Sequence, residues 1–149
     1  MSIAPAVGHR QLVAAAKAVA HPARLRILAM LSRGELCVCQ MSTILQLAAS
    51  TVSGHLNDLR GAGLVVERKV GKVVYYALDG ASPLADWLEQ ALALVEADTQ
   101  MRADAAVIGK VRAVPIPLLT RGGLTLDDIR RRRRTASPAA ADRPRSARA

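Results

Sequence analysis

Between residues 50 and 78 the hydrophobic pattern changes from helical to extended, and this change constrains the fold more than any other feature. A predicted helix covers roughly Ser50 to Arg60, and its apolar residues recur at helical spacing: Val52, Leu56 and Leu59. Glycines at 61 and 63 end this helix, and β-branched or aromatic runs then flank residues 69–72, Lys-Val-Gly-Lys. This order predicts a helix followed by a β-hairpin with a basic tip.

Three further helices are predicted before this segment. Good helix formers occupy residues 10–20, and Pro22 starts a second helix with His21 as its N-cap, because proline fits the first helical turn. That helix ends near Gly34, and a short third helix covers roughly Val38 to Gln46. Two short helices followed by a two-stranded ribbon predict a mainly α winged helix–turn–helix, whose second helix enters the major groove of DNA.

A longer helix is predicted after the hairpin, with Ser82 as its candidate N-cap. It carries a broad apolar stripe made of Leu84, Leu88, Ala91 and Val95. The stripe is wider than one small domain needs, so we predict self-association through it. Beyond Met101 the periodicity weakens, and residues 114–123 are predicted to be an irregular connection.

The positive charge is concentrated at the C-terminus. Residues 130–149 contain eight arginines and one aspartate, and thus carry +7 of the total charge of +9. We therefore predict a flexible N-terminus at 1–9, a winged-helix DNA-binding and dimerisation domain at 10–101, a poorly defined extension at 102–129 and a disordered Arg-rich tail at 130–149. A basic chain favours polyanionic partners, nucleic acid first.

Several functional classes conflict with the composition. With one Trp, two Tyr and no Phe, the chain lacks the aromatic platform on which single strands stack. No apolar run reaches the roughly 20 residues that a membrane-spanning helix needs, and the N-terminus does not resemble an export signal. We therefore expect a cytoplasmic protein with no membrane partner.

The polar face of the 50–60 helix and the tip of the hairpin form the candidate DNA-binding surface. Small polar side chains can meet base edges or phosphates, and basic side chains pair with phosphates. A solvated helix face would look similar, but the basic hairpin favours the DNA interpretation. The predicted contact residues are Ser50, Thr51, Ser53, His55, Asn57, Arg60, Arg68, Lys69 and Lys72. For His55, packing or a phosphate contact is favoured over metal binding.

Four motifs, in this order, resemble the ArsR/SmtB family of bacterial metal-sensing repressors. They are His21-Pro-Ala-Arg-Leu-Arg-Ile-Leu, Glu35-Leu-Cys-Val-Cys, Ser50-Thr-Val-Ser-Gly-His-Leu and Leu59-Arg-Gly-Ala-Gly-Leu-Val. The resemblance covers roughly residues 10–97. It implies a homodimer held together by the first and last core helices, which binds an inverted repeat in double-stranded operator DNA and leaves it when metal binds. Two positions depart from the family pattern, Ala49 where Gln is frequent and Gly54 where Arg or Lys is frequent.

Cys37 and Cys39 are the candidate ligand-binding residues. A disulfide between such near neighbours would be strained, so we expect reduced thiols. On an ideal helix residues i and i+2 point in nearly opposite directions, whereas in extended chain they share a face. Two thiolates on one soft centre must lie within about 4 Å. Ligand binding is therefore predicted to require that the first turn of the third helix be unwound or distorted, in competition with DNA-competent geometry.

The resemblance also indicates the ligand. Glu-Leu-Cys-Val-Cys is an arsenite and antimonite site in one branch of the family and part of a cadmium/lead site in another. Ser42 stands where the arsenic branch often has a third cysteine, the N-terminal cysteines of the cadmium branch are missing, and the last core helix has carboxylates but no histidine. Two soft thiolates favour As(III) or Sb(III) as the inducer, although softness alone would also admit Cu(I).

Two alternatives to an arsenic-released repressor stay open. One is a regulator of the same fold that senses cadmium, lead or no metal. The other is a thiol redox enzyme, but the sequence shows no βαβ unit, no Gly-rich nucleotide loop and no arginine cradle around the cysteines. We expect no catalytic activity and no resident cofactor.

Overall fold

The computed structural model describes residues 6–132, which form eight helices and one three-stranded sheet. The elements are α1 (His9–Val19), α2 (Pro22–Leu31), β1 (Leu36–Cys37), α3 (Val38–Leu45), α4 (Ala49–Gly61), β2 (Val65–Val70), β3 (Val73–Leu78), α5 (Ala85–Val95), α6 (Thr99–Arg112), α7 (Ile116–Thr120) and α8 (Leu126–Arg131). The predicted mainly α winged helix–turn–helix is confirmed, with α3 and α4 as the helix pair and β2–β3 as the wing.

Local signals determine the ends of the early helices. Pro22 occupies the first turn of α2, and the Nδ1 atom of His21 accepts a hydrogen bond of 3.1 Å from the Ala23 N–H, which confirms the predicted cap. Helix α3 ends at Gln46, whose φ of 55° is left-handed. These ends agree with the sequence prediction to within about two residues, the usual uncertainty of helix boundaries.

The sheet contains one strand more than the sequence predicted. Strands β2 and β3 pair in antiparallel register from Val65 opposite Leu78 to Val70 opposite Val73, which is the expected hairpin. Strand β1 adds to the other edge of β3, with Cys37 opposite Tyr75. Two residues are too few to show an alternating pattern, so only the contact with β3 reveals this strand.

An aliphatic core joins the helix pair to α2 and the wing. The predicted inner face of α4 is confirmed, since Val52, Leu56 and Leu59 are all fully buried. Other fully or almost fully buried side chains in this core include Ile27, Leu28, Met30, Leu36, Met41, Ile44 and Leu64. The recognition helix α4 is thus anchored along one face and leaves its polar face outside.

The start and the apolar face of α5 differ from the prediction. This helix begins at Ala85, and the Ser82 hydroxyl accepts the Leu84 N–H in the preceding turn rather than capping the helix. Leu88 and Leu92 are buried within the chain, whereas Leu94 is 87% exposed. Part of the stripe predicted for self-association is therefore used inside the chain.

The extension at 102–129 is helical and packed, contrary to the prediction of a poorly defined segment with an irregular connection. Asp98 caps α6 by accepting the N–H groups of Gln100 and Met101, and α6 packs against α2 and α3. Helix α8 buries Ile129 completely. The predicted Arg-rich tail begins within α8, and its residues 133–149 lie outside the described part.

No helix within residues 6–132 is long and apolar enough to cross a membrane.

Candidate thiol site and nucleic-acid interface

Cys37 and Cys39 lie side by side where β1 runs into α3. Their Sγ atoms are 2.8 Å apart. Cys37 is the N-cap of α3, with extended backbone angles of φ −90° and ψ 167°, and only Cys39 is helical. The predicted unwinding or distortion of the first turn is therefore not needed to bring the thiols together, because the extended Cys37 already turns its side chain towards Cys39.

The two thiols are shielded from solvent to different degrees. Cys37 is 2% exposed and Cys39 is half-buried. Burial, together with the adjacent Cys37 thiol, raises the pKa of Cys39 to about 12, because a thiolate there would be poorly solvated. Cys39 therefore carries a protonated thiol at neutral pH.

Polar groups near the thiols are bonded to the backbone. The Gln40 side-chain oxygen accepts the Cys37 N–H at 3.0 Å, and the Thr43 hydroxyl donates to the Cys39 carbonyl at 2.8 Å. The Ser42 hydroxyl donates to the Leu47 carbonyl at the other end of α3. Among residues 6–132 no group of three or more His, Cys, Asp or Glu side chains could hold a metal ion. Within this described part of the chain, the site thus offers two sulfur donors and no third His, Cys, Asp or Glu ligand.

The thiol site is also connected to the wing. Cys37 pairs with Tyr75 across β1 and β3, and the Arg68 guanidinium lies 5.6 Å from the centre of the Tyr75 ring. The same guanidinium donates to the Glu35 carboxylate, which lowers the pKa of Glu35. The sequence motif contains Glu35 but assigned it no role, because the partner lies 33 residues away on β2.

Most of the predicted DNA-binding residues share the outer surface of α4 and the wing. Ser53 is half-buried, and seven others are exposed: Ser50, Thr51, Asn57, Arg60, Arg68, Lys69 and Lys72. A side-chain carbon added at Gly54 would meet nothing within 4 Å, so this position leaves open space on the exposed face. Whether each residue touches DNA stays a prediction.

Two of the predicted basic contacts are engaged within the chain. Arg60 pairs with Glu67 at 2.9 Å, and Arg68 pairs with Glu35. Lys69 and Lys72 form no ion pair with the described residues and lie exposed towards the wing tip. These two lysines are therefore the basic groups most available to phosphates.

His55 faces inward from α4 and lies against the α2 cap. Its ring centroid is 4.6 Å from that of His21, and Arg24 pairs with Asp58 on the next turn of α4 at 3.3 Å. Burial lowers the pKa of His55, and the neighbouring His21 and Arg24 lower it further. This position fits the packing role considered for His55 better than a base contact.

Comparisons with known proteins agree with this architecture. The sequence profile described as "Bacterial regulatory protein, arsR family" matches residues 21–66. The SmtB homolog of Synechocystis, a transcriptional repressor, is 46% identical over 61 residues, covering 41% of this chain and 46% of that protein. The CadC homolog of Staphylococcus aureus, a cadmium resistance regulator, is 44% identical over 64 residues, covering 42% and 53%. The chain therefore spans about half the length of these two relatives.

A longer match exists with the arsenical resistance operon repressor of Staphylococcus xylosus. It is 32% identical over 94 residues, which cover 63% of this chain and 88% of that protein.

Solved structures show the same fold. HlyU from Vibrio cholerae matches with a TM-score of 0.52 at 38% identity, over 57% of this chain and 91% of that one. The winged helix–turn–helix domain of Mb0332 from Mycobacterium bovis, described as homodimeric, matches with a TM-score of 0.53 at 27% identity, over 63% and 91%. The matched family and these relatives are transcriptional regulators rather than enzymes.

Proposed function

The chain belongs to the arsR family of bacterial regulatory proteins, and we propose that it is a transcriptional repressor released from operator DNA by trivalent arsenic or antimony. The observation that carries this proposal is the 2.8 Å separation of the Cys37 and Cys39 Sγ atoms. Two soft donors that are already adjacent can bind one thiophilic centre with little rearrangement.

The protonated Cys39 thiol favours a neutral inducer. Arsenous acid is uncharged at neutral pH, and each thiol can replace one of its hydroxyl groups. A sulfur–arsenic bond then forms, an arsenic–oxygen bond breaks, and the thiol proton leaves with the hydroxide as water. No net charge is buried, so the raised pKa of Cys39 does not oppose this exchange. The remaining arsenic position keeps a hydroxyl or takes a thiol from solution.

Cadmium or lead is the second candidate inducer, supported by the similarity to the CadC homolog. A divalent cation needs thiolates, so binding must expel the Cys39 proton, and the high pKa of Cys39 works against that step. In weakly buffered solution, cadmium binding should therefore release protons, including the one from Cys39, whereas arsenite binding should release almost none. Comparing affinity and proton release for the two ligands separates the candidates.

The position of the thiols supports coupling to DNA. Cys37 belongs to the strand that pairs with the wing, and Cys39 belongs to the first helix of the helix–turn–helix. Two sulfur bonds of about 2.3 Å to one centre at a right angle or wider would hold the sulfur atoms about 3.3 Å apart or more. Inducer binding would thus slightly widen the spacing of the two sulfur atoms. This widening would shift the wing strand relative to α3, and both elements carry or support the DNA-facing surface.

We further propose that two copies of the chain associate through α1 and α5, and that this homodimer binds an inverted repeat. Exposed apolar residues on these two helices support this arrangement, namely Leu12, Val13 and Leu94. In this dimer α4 reads the major groove while Lys69 and Lys72 bind the DNA backbone.

The Arg-rich tail would add affinity for any sequence, so removing it should weaken binding to random duplex more than it changes the ratio of operator to random binding. Because the target is operator DNA, we expect the protein to act in the cytoplasm.

The decisive experiment is arsenite titration of the purified protein on a fluorescent fragment of its own promoter. Arsenite should lower the anisotropy by releasing the protein, and prior alkylation of the thiols should prevent that release. The proposal is overturned if arsenite fails to release unmodified protein that binds the fragment, or if alkylated protein is still released at the same arsenite concentration.

A further inference from the structure

Helix α6 ends directly over the segment that leads to Cys37. Arg112, in its last turn, donates from Nη2 to the carbonyl oxygens of Arg33 at 3.2 Å and of Glu35 at 3.3 Å. Gly34 lies between them with a φ of 116°, and a Cβ there would be 2.8 Å from the Arg112 Nη2 atom. The guanidinium therefore occupies the space that the missing side chain leaves, and it links the carbonyl groups of the residues on either side of Gly34.

The helix that carries Arg112 is itself held firmly. Arg26 of α2 donates from Nε and Nη2 to the two Asp104 carboxylate oxygens of α6, at 2.8 and 2.9 Å. Gln100 also donates to this carboxylate at 2.9 Å, and Asp104 is only 4% exposed. A buried two-point ion pair fixes orientation as well as distance. Arg112 is thus held at a defined position relative to α2.

The opposite side of the same connection is held by the wing. The Glu35 carboxylate binds Arg68 of β2, and the Cys37 backbone pairs with Tyr75 of β3. The connection at residues 33–37 is therefore held between α6 and the sheet. Arg112 is the α6 side chain that hydrogen-bonds to this connection among the described residues.

We propose that Arg112 is a positioning residue for the thiol site. It holds the connection so that the Cys37 Sγ atom stays beside that of Cys39, and the two thiols are prepared for one bridging ligand. The identity of that ligand as arsenite rests on the proposed function. A ligand that bridges preorganised donors avoids the cost of ordering them on binding. Loss of Arg112 should therefore weaken two-thiol chemistry without removing either thiol.

The test uses dibromobimane, a reagent that becomes fluorescent when it bridges two neighbouring thiols. The full-length variants are Arg112→Ala and Arg112→Gln, which keep good helix formers, with Arg112→Lys as the conservative change. Arg102→Ala is the matched control, because Arg102 is an exposed cation on the same helix. Thermal unfolding of each variant identifies a temperature at which all are folded, and the rates are measured there.

Arg112→Ala and Arg112→Gln should bridge about fivefold more slowly than the control, the scale expected when exposed charge-assisted hydrogen bonds are lost. Arg112→Lys should recover part of the rate because its ammonium can still donate to a carbonyl. Rates for both neutral variants equal to that of Arg102→Ala would overturn the inference. If one neutral variant does not fold, the other decides the comparison.

Arsenite affinity measured on the same proteins distinguishes a failure of the proposed function from a failure of the role proposed for Arg112. A wild-type protein that bridges with dibromobimane but binds no arsenite refutes the proposed function, while the comparison of bridging rates still decides the role of Arg112.

Discussion

The thiol site and the DNA-facing surface are neighbours on the helix pair but opposite in character. Cys37 is buried and Cys39 is half-buried, and the polar groups beside them bond to the local backbone. The outer face of α4 and the wing tip are exposed, and the wing lysines Lys69 and Lys72 form no ion pair with any residue between 6 and 132. The contrast indicates that inducer binding depends on short-range geometry, whereas DNA binding depends on accessible charge. Changes in one region should therefore leave the other function largely intact.

The largest expected effect comes from removing one thiol. In Cys37→Ser or Cys39→Ser the arsenite concentration that releases operator DNA should rise more than 100-fold. Shifting the ratio of DNA-competent to released repressor from 99:1 to 1:99 takes about 5.5 kcal/mol of differential inducer binding, and one sulfur bond supplies too little of it. Operator affinity without arsenite should change less than about twofold, since the thiols lie away from the exposed face.

Fluorescence anisotropy of an operator fragment measures both quantities for the cysteine variants. Ser42→Ala is the control, because its hydroxyl is bonded to Leu47 rather than to the thiols. Release of either cysteine variant at the wild-type arsenite concentration would break the separation between the two regions.

A smaller effect is expected at the wing tip, where a substitution should change DNA affinity and leave arsenite binding intact. Lys72→Ala should weaken binding to operator and random duplex alike, by about fivefold at low salt, and lower the salt dependence by about one counterion. Arsenite affinity in the absence of DNA should not change. Arg102→Ala on α6 removes the same charge away from the wing and should leave DNA binding near the wild-type value. A change in base preference at one operator position in Lys72→Ala would contradict the phosphate assignment.

Glu35 is the side chain that connects the two regions. Glu35→Gln breaks the ion pair with Arg68 and should reduce the coupling, measured as the ratio of operator affinities without and with arsenite, by about threefold. Glu67→Gln is the matched control, because Glu67 is similarly exposed and pairs with Arg60 of α4 instead. Equal coupling in the two variants would show that the contact between Arg68 and Glu35 transmits nothing.

The smallest effect concerns pH. Because the pKa of His55 is lowered in the fold, the unfolded chain binds a proton more readily at this site. Its contribution to stability is therefore present above the ordinary histidine pKa of about 6.5 and is lost as the pH falls through the lower folded value. Thermal denaturation measures the unfolding temperature at pH 7.5 and at pH 5. Between these pH values it should fall by about 1–2 °C less in His55→Gln than in wild type.

His9→Gln, which changes an exposed histidine of α1, provides the baseline for the pH comparison. The same pH dependence in both variants would rule out His55 as the titrating group.

Local sequence patterns determined most of the winged helix. The helical spacing of Val52, Leu56 and Leu59, the cap at His21 and the β-branched runs of the wing each act within a few residues, so they can be recognised in the chain itself. The two cysteines were identified from the same short range, through their spacing and their motif.

Tertiary structure decided how the thiols are arranged and what holds them. Cys37 is extended because β1 pairs with β3, and this conformation, which no local pattern indicated, brings the two sulfur atoms together. Contacts such as Arg68 with Glu35 and Arg26 with Asp104 join residues 33 and 78 positions apart. Partners at such separations are selected by how whole helices and strands pack, because a side chain reaches only its spatial neighbours. The sequence therefore identified the ligand atoms, and packing determined their geometry.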